Sequence, residues 1–144
     1  MSLEADIVTR LKAVAGVTAL VGSGTSARIY PVRLPQNVTY PAISYFRVSA
    51  TRESAMGNDV GNVSARFQID CWGSTYTSAR QVCEAVRAAL KRYRGSATVT
   101  IQDTFLLNEI ELFEDDEEGS LDAKLFRGAL DFDFKYLESL RDGH

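Results

Sequence analysis

The chain has 144 residues, of which 45% are hydrophobic and 24% charged, with a formal net charge of −3. That is ordinary globular composition, and the expectation is one domain over residues 1–144. Its apolar runs are too short to cross a bilayer, and its one histidine, the terminal His144, leaves almost no His-based acid–base or metal chemistry.

The first segment, MSLEADIVTR, has acids and a helical pattern and lacks the basic start and apolar centre of a signal peptide. The chain is therefore expected in the cytoplasm. Ser2 is placed to cap a first helix, with Glu4 and Asp6 near its positive end. Leu3, Ile7, Val8, Leu11, Val14 and Ala15 recur at helical spacing. Gly16 is expected to interrupt this helix. A further helical turn through Val17, Leu20 and Val21 stops at Gly22-Ser23-Gly24.

Arg28–Val32 reads as a short strand, confined to an edge because Pro31 has no amide hydrogen to donate. Leu34–Tyr40 reads as loop and Ala42–Arg52 as strand. Glu53–Asn62 (ESAMGNDVGN) has two glycines and no periodicity. It is too long for a two-residue hairpin turn and is expected to project as a loop. Val63–Trp72 alternates cleanly: Val63, Ala65, Phe67, Ile69 and Cys71 point one way, and Ser64, Arg66, Gln68, Asp70 and Trp72 the other.

After Gly73, Ser74 or Thr75 caps a second helix with a buried stripe of Ala79, Val82, Cys83, Val86, Ala89 and Leu90. Gly95 is expected to terminate it. Ala97–Phe113 is strand-rich, and Phe105-Leu106-Leu107 breaks its period, which suggests a bulge. Glu114–Asp122 (EDDEEGSLD) is an acidic loop. Ala123–Tyr136 is the last strand, with Phe126, Leu130, Phe132, Phe134 and Tyr136 facing in. The order predicts an α+β fold: a single, largely antiparallel sheet with two helices packed on one face.

Chemistry-bearing residues are few. Cys71 and Cys83 fall on apolar faces and are expected to be buried free thiols. No nucleophile–base pair, phosphate-cradling loop or metal constellation is present. Catalytic residues, cofactors and metal ligands are therefore all expected to be absent. The run Glu114–Glu118 lacks the spacing of a calcium loop. Arg80, Arg87, Lys91 and Arg94 fall along one helix face without interleaved aromatics and read as a solvated face rather than a nucleic-acid surface.

Charge distribution is more informative. Residues 1–94 hold 12 basic and 6 acidic side chains, and residues 95–144 hold 4 basic and 13 acidic. Opposite patches of that kind can meet across a protein interface. The candidate partner-binding residues are Arg52, Met56, Asn58 and Asp59 around the Glu53–Asn62 segment. Trp72 joins them as an aromatic anchor, as do Asp115, Asp116 and Glu117 in the acidic loop.

Several pieces together resemble the tail completion or tail terminator proteins of long-tailed phages, prophages and gene-transfer particles. These are the helix ending in the apolar turn Val17–Gly22, then Arg28-Ile29-Tyr30-Pro31 and Pro41-Ala42-Ile43. Gln68–Trp72 followed by Tyr76 and Ala79, and the late Asp131-Phe132-Asp133-Phe134, complete the pattern. The acidic loop lies outside it. The resemblance implies a structural protein without enzymatic activity that forms a ring of six subunits on the head-proximal end of the tail tube. Such a ring stops tube polymerisation and offers a docking surface to the head. The implied partners are further copies of the chain, the major tail tube protein and a head–tail connector protein, with no membrane and no sequence-specific nucleic acid. The implied location is the cytoplasm of the bacterial host during assembly and then the virion tail. The alternative is a small ligand-binding or regulatory α+β domain that dimerises through its sheet.

Overall fold

The structure, a computed structural model, describes residues 3–55, 58–114 and 125–137. Helix α1 spans Leu3–Ala13 and buries Leu3, Ile7 and Leu11. Helix α2 spans Ala15–Val21. The break falls at Val14 rather than at the expected Gly16: Val14 is extended, and its carbonyl accepts from Val17 and Thr18 to start the second helix. Gly22, at φ 93°, ends α2 in a conformation that a Cβ would strain. The expected cap at Ser2 lies outside the described residues.

The strands are β1 (Ile29–Pro31), β2 (Ala42–Ala55), β3 (Asn58–Gly73), β4 (Gly95–Ser96), β5 (Thr100–Glu114) and β6 (Leu125–Leu137), with helix α3 (Tyr76–Leu90) between β3 and β4. They form one six-stranded sheet in the order β1-β2-β3-β6-β5-β4. The α+β class holds, but the sheet is mixed rather than largely antiparallel. β1 joins β2 in parallel, and the other neighbours run antiparallel. The parallel step arises because a connection of ten residues returns the chain to the same end of the sheet, where a tight hairpin would have reversed it. β1 lies at the sheet edge, as Pro31 requires.

The expected projecting loop at Glu53–Asn62 is instead the end of a long hairpin. β2 and β3 stay paired through Ser54↔Asp59 and Ala55↔Asn58, so only residues 56 and 57 connect them. The register shift between Arg52 and Ser54 falls where the expected loop begins and explains why alternation failed to reveal the strand there; a further shift lies between Arg47 and Ser49. Each extra residue reverses the facing of everything after it.

The helical layer has three helices, not two. α3 lies against β3 and β6, while α1 and α2 pack on each other and on α3. Thr75 caps α3, its side chain accepting from Ser78 N at 3.0 Å. The helix ends at Leu90 rather than near Gly95, because Arg92 turns into the left-handed region at φ 60° and Gly95 enters β4. Two glycines let α3 approach closely. A Cβ on Gly73 would stand 2.6 Å from Ala79 N, and one on Gly128 would collide with Cys83 Sγ. Phe67, Phe132, Phe134, Val82, Val86 and Leu90 belong to one buried cluster with Ile7, Leu11, Val17 and Val21. Cys71 and Cys83 are buried and unbridged, and burial pushes the Cys71 thiol well up.

Candidate functional site

The face of the sheet opposite α3 is polar along its centre. Successive residues of β3 and β6 alternate across the pleat, so burying Phe67, Ile69, Phe132 and Phe134 sends Arg66, Gln68, Asp131 and Asp133 outward. Arg66 reaches Asp131 at 3.0 Å. Ser64 donates to Asp133 at 2.7 Å, and Lys135 donates to Ser64 at 2.9 Å and pairs with Asp133 at 3.1 Å.

At the Trp72 end, this face becomes a groove of about 660 Å³. One wall is the segment from Val32 to Tyr40, and the floor includes Phe46, Gln68, Asp70 and Trp72. Arg28 fixes the chain around that wall, donating from Nε to the Pro41 carbonyl at 2.9 Å and from Nη2 to the Leu20 carbonyl at 3.0 Å. The Tyr40–Pro41 peptide is cis. Trp72 is half-buried: its indole donates to Ser44 Oγ at 3.0 Å, and the Arg127 guanidinium lies 5.0 Å above its ring. Asp70 is buried, accepts from Gln68 Nε2 at 2.8 Å and faces Arg127 at 3.7 Å.

Much of the charge asymmetry is satisfied inside the chain. Arg80 of α3 meets Glu109 of β5 at 2.6 Å, with Glu84 at 3.7 Å and Glu111 at 3.6 Å. The Glu109 hydrogen bond holds the Arg80 guanidinium above its ordinary range. Arg87 lies 4.0 Å from Glu109, and Arg92 and Arg94 lie 2.7 and 3.9 Å from Asp103. The basic row expected to be a solvated helix face is thus, at Arg80 and Arg87, an ion-paired seam between α3 and β5. Tyr76 completes it, donating to Glu111 at 2.6 Å, and that bond pushes the phenol up.

The candidate partner-binding residues fall at two ends of the sheet. Arg52 is exposed near the tip of the β2–β3 hairpin, opposite Val63. Asn58 and Asp59 open β3 as backbone positions pairing with Ala55 and Ser54. Met56 lies outside the described residues, as do Asp115, Asp116 and Glu117. Trp72 pairs with Ala42 at the other end of the hairpin. Ten strand residues separate the two ends, roughly 33 Å, so Trp72 and the hairpin tip do not form one site. Sequence reading missed the Val32–Tyr40 wall, for which Pro35 and Pro41 were the available signal. It also missed the role of Asp6. That buried carboxylate accepts from Thr98 N, Thr98 Oγ1 and Val99 N at 2.9–3.1 Å and so ties α1 to the approach to β5.

Among the described residues no group of His, Cys, Asp or Glu is arranged to hold a metal ion, and no helix is long and apolar enough to cross a membrane. What the geometry offers is two sheet ends, a groove and a polar face.

The Tail completion protein gp17 family matches residues 5–137. The chain belongs to this family. It is a structural protein of the phage tail, and its place is in virion assembly. No curated protein matches the chain significantly. A solved chain from the structure titled "Virion of native gene transfer agent (GTA) particle" superposes with a TM-score of 0.67 at 18% identity, covering 94% of this chain and 95% of that one. At that identity the likeness establishes the fold.

Proposed function

We propose that this tail completion protein assembles as a ring of six subunits on the head-proximal end of the tail tube, ends tube polymerisation and provides the surface on which the head docks. The observation that carries this reading is the family match over residues 5–137. The fold shared with a chain of a gene transfer agent virion supports it. The long β2–β3 hairpin gives each subunit two separated contact ends. Arg52, Asn58 and Asp59 serve one and Trp72 the other, and Met56, Asp115, Asp116 and Glu117, which lie outside the described residues, add to the contacts with the tube protein and the head–tail connector. The protein carries out no catalysis and needs no metal or cofactor. It acts in the host cytoplasm during assembly and stays in the tail.

The polar centre of the open sheet face suits modest, salt-sensitive contacts. Purified protein is therefore mainly monomeric and becomes hexameric on the tube. Imaging of tubes incubated with the protein tests this, with light scattering across concentration and salt. Capped tube ends are expected. Replacing Arg52, Met56, Asn58 and Asp59 by Ala or Ser should preserve the melting profile and reduce capping. The groove of about 660 Å³ with Trp72 in its floor favours the second reading, a ligand-binding domain that dimerises through its sheet. A stable dimer at all concentrations with no affinity for tube ends would transfer the assignment to it.

A further inference from the structure

Both outer edges of the sheet are only partly covered. β1 pairs with Ile43, Ser44 and Tyr45 of β2, and Val32 N adds one bond to the Tyr45 carbonyl. β4 pairs with Thr100 and Ile101 of β5, and Arg92 N adds one bond to the Thr104 carbonyl. Beyond these points no described strand lies alongside Phe46–Thr51 of β2 or Phe105–Leu112 of β5 on their outward sides. A row of unsatisfied backbone donors and acceptors is a template for another strand.

The apolar surface sits in the same places. The large apolar side chains exposed among the described residues are Val32, Val48, Tyr76, Leu107, Ile110 and Leu112. Leu107, Ile110 and Leu112, at 51%, 45% and 40% exposure, lie on the open stretch of β5, and Tyr76 bonds to Glu111 beside them. Val48 lies on the open stretch of β2, and Val32 follows β1. Four of these six, Val48, Leu107, Ile110 and Leu112, lie on the two open edge strands, a concentration unlike the single scatter of an ordinary surface. Charge differs between the edges as well. Phe105–Glu114 holds three acids and no base, and Phe46–Arg52 holds two bases and no acid, although Glu109 and Glu111 pair with Arg80, and Arg47 with Glu4, within the subunit, so charge is secondary to direction and apolar surface at this joint.

We propose that the open β5 edge of one subunit pairs with the open β2 edge of a second copy of this chain, so that the ring is built on intersubunit strand addition. This rests on the ring reading above and names its joint. Direction favours it. Each neighbouring pair from β2 to β5 is antiparallel, so β2 and β5 of one subunit run oppositely. A neighbour placed beside the sheet with the same face outward therefore sets its β2 antiparallel to the first subunit's β5, the better-bonded arrangement. Each subunit carries one edge of each kind, which makes the contact head-to-tail and allows a ring to close.

The two open stretches are offset along the strands. Ser49 aligns through Arg66 and Asp133 with Phe105, whereas the apolar stretch of β5 centres on Ile110. Because Leu107 is bulged out of the ladder, neighbours therefore shift by four ladder positions, from Asp133 to Ala129 along β6, about 13 Å at the rise of a strand. A shift repeated at every joint closes only if the strands tilt to the ring axis, as they do in barrels. The register shifts at Val48 and Leu107 lie within the two edges and supply local bending.

The test uses two single-cysteine additions in the full chain, Val48→Cys and Ile110→Cys, with a short bismaleimide. The native thiols are buried, so unmodified protein serves as the uncrosslinked control. On tail tubes, a mixture of the two variants should give a covalent dimer that neither variant gives alone. The double variant should give a ladder ending at the closed ring. A dimer from Ile110→Cys alone indicates a two-fold β5–β5 contact and overturns the proposal. Rings that form on tubes without any mixed product overturn edge pairing and leave the ring reading standing. Absence of any assembly on tubes overturns both. In parallel, Ile110→Lys with Leu112→Lys should weaken self-association at least ten-fold at an unchanged melting midpoint, and association equal to that of unmodified protein would overturn the joint.

Discussion

The two faces of the sheet are built from the same strands by opposite chemistry. On the covered face Phe67 and Phe134 meet edge-to-face at 5.7 Å, Phe132 and Phe134 lie 6.1 Å apart, and all three are fully buried under the helices. On the open face the residues one step away pair instead, Arg66 with Asp131 and Lys135 with Asp133, the bases about half-exposed and the carboxylates largely covered. Burial of apolar area anchors the register, since a one-residue slip would exchange the two sets. The open face is then free to carry recognition, because its polar pairs contribute little to folding. Stability and assembly are thereby assigned to different side chains of the same strands.

The covered face is where the largest effects belong. Phe132→Ala removes a fully buried ring from the centre of the cluster and should cost about 3–5 kcal/mol, read as a fall in the denaturant midpoint. An unchanged midpoint would break the division between faces. Gly128→Ala tests the approach of α3, because the new methyl would meet Cys83 Sγ in a closed environment. The expected loss is about 1–3 kcal/mol. Adding Cys83→Ala should recover part of it, and a loss unaffected by that second change would place the strain elsewhere.

A third substitution bears on how the helices are tied to the sheet. Asp6→Ala leaves the amides of Thr98 and Val99 without their carboxylate partner and should cost about 1–3 kcal/mol. Melting curves that match those of the unmodified protein would show that water replaces the carboxylate freely.

The legible parts of the sequence were those with an uninterrupted period. The facing of Val63–Cys71, the inward row Leu130–Tyr136, the cap at Thr75 and the edge position of Pro31 all appear in the structure. So does the interruption at Leu107, where the register of β5 shifts. What escaped notice depends on distant partners. Glu53–Asn62 reads as loop because a bulge resets its alternation, and only the cross-strand pairing of Ser54 with Asp59 identifies it as hairpin. The acids after Gly95 suggest an interface, yet several meet arginines of the same chain, and spacing along the sequence cannot reveal that α3 lies beside β5. Trp72 was visible as an aromatic on a polar face, but the groove around it is made by residues 30 to 40 positions earlier.

The smallest expected effect on folding is on the open face. Arg66 is 47% exposed at its side chain and Asp131 14%, and they meet at 3.0 Å. A pair with one partner in solvent gains little over its separate hydration, and salt screens it. Arg66→Ala should therefore lower stability by less than about 1 kcal/mol, and less still at high salt. If the open face takes part in recognition, the same substitution should reduce capping of tail tubes at this nearly unchanged stability, while Phe132→Ala should lower both together. Exchanging the two residues, Arg66→Asp with Asp131→Arg, separates the pair from its surroundings. The exchanged pair keeps its mutual attraction but alters the charge pattern offered outward, so folding should recover while capping does not. Capping that recovers with folding would mean that Arg66 and Asp131 serve the subunit alone, and the contact surface would then have to lie at the sheet edges and hairpin ends.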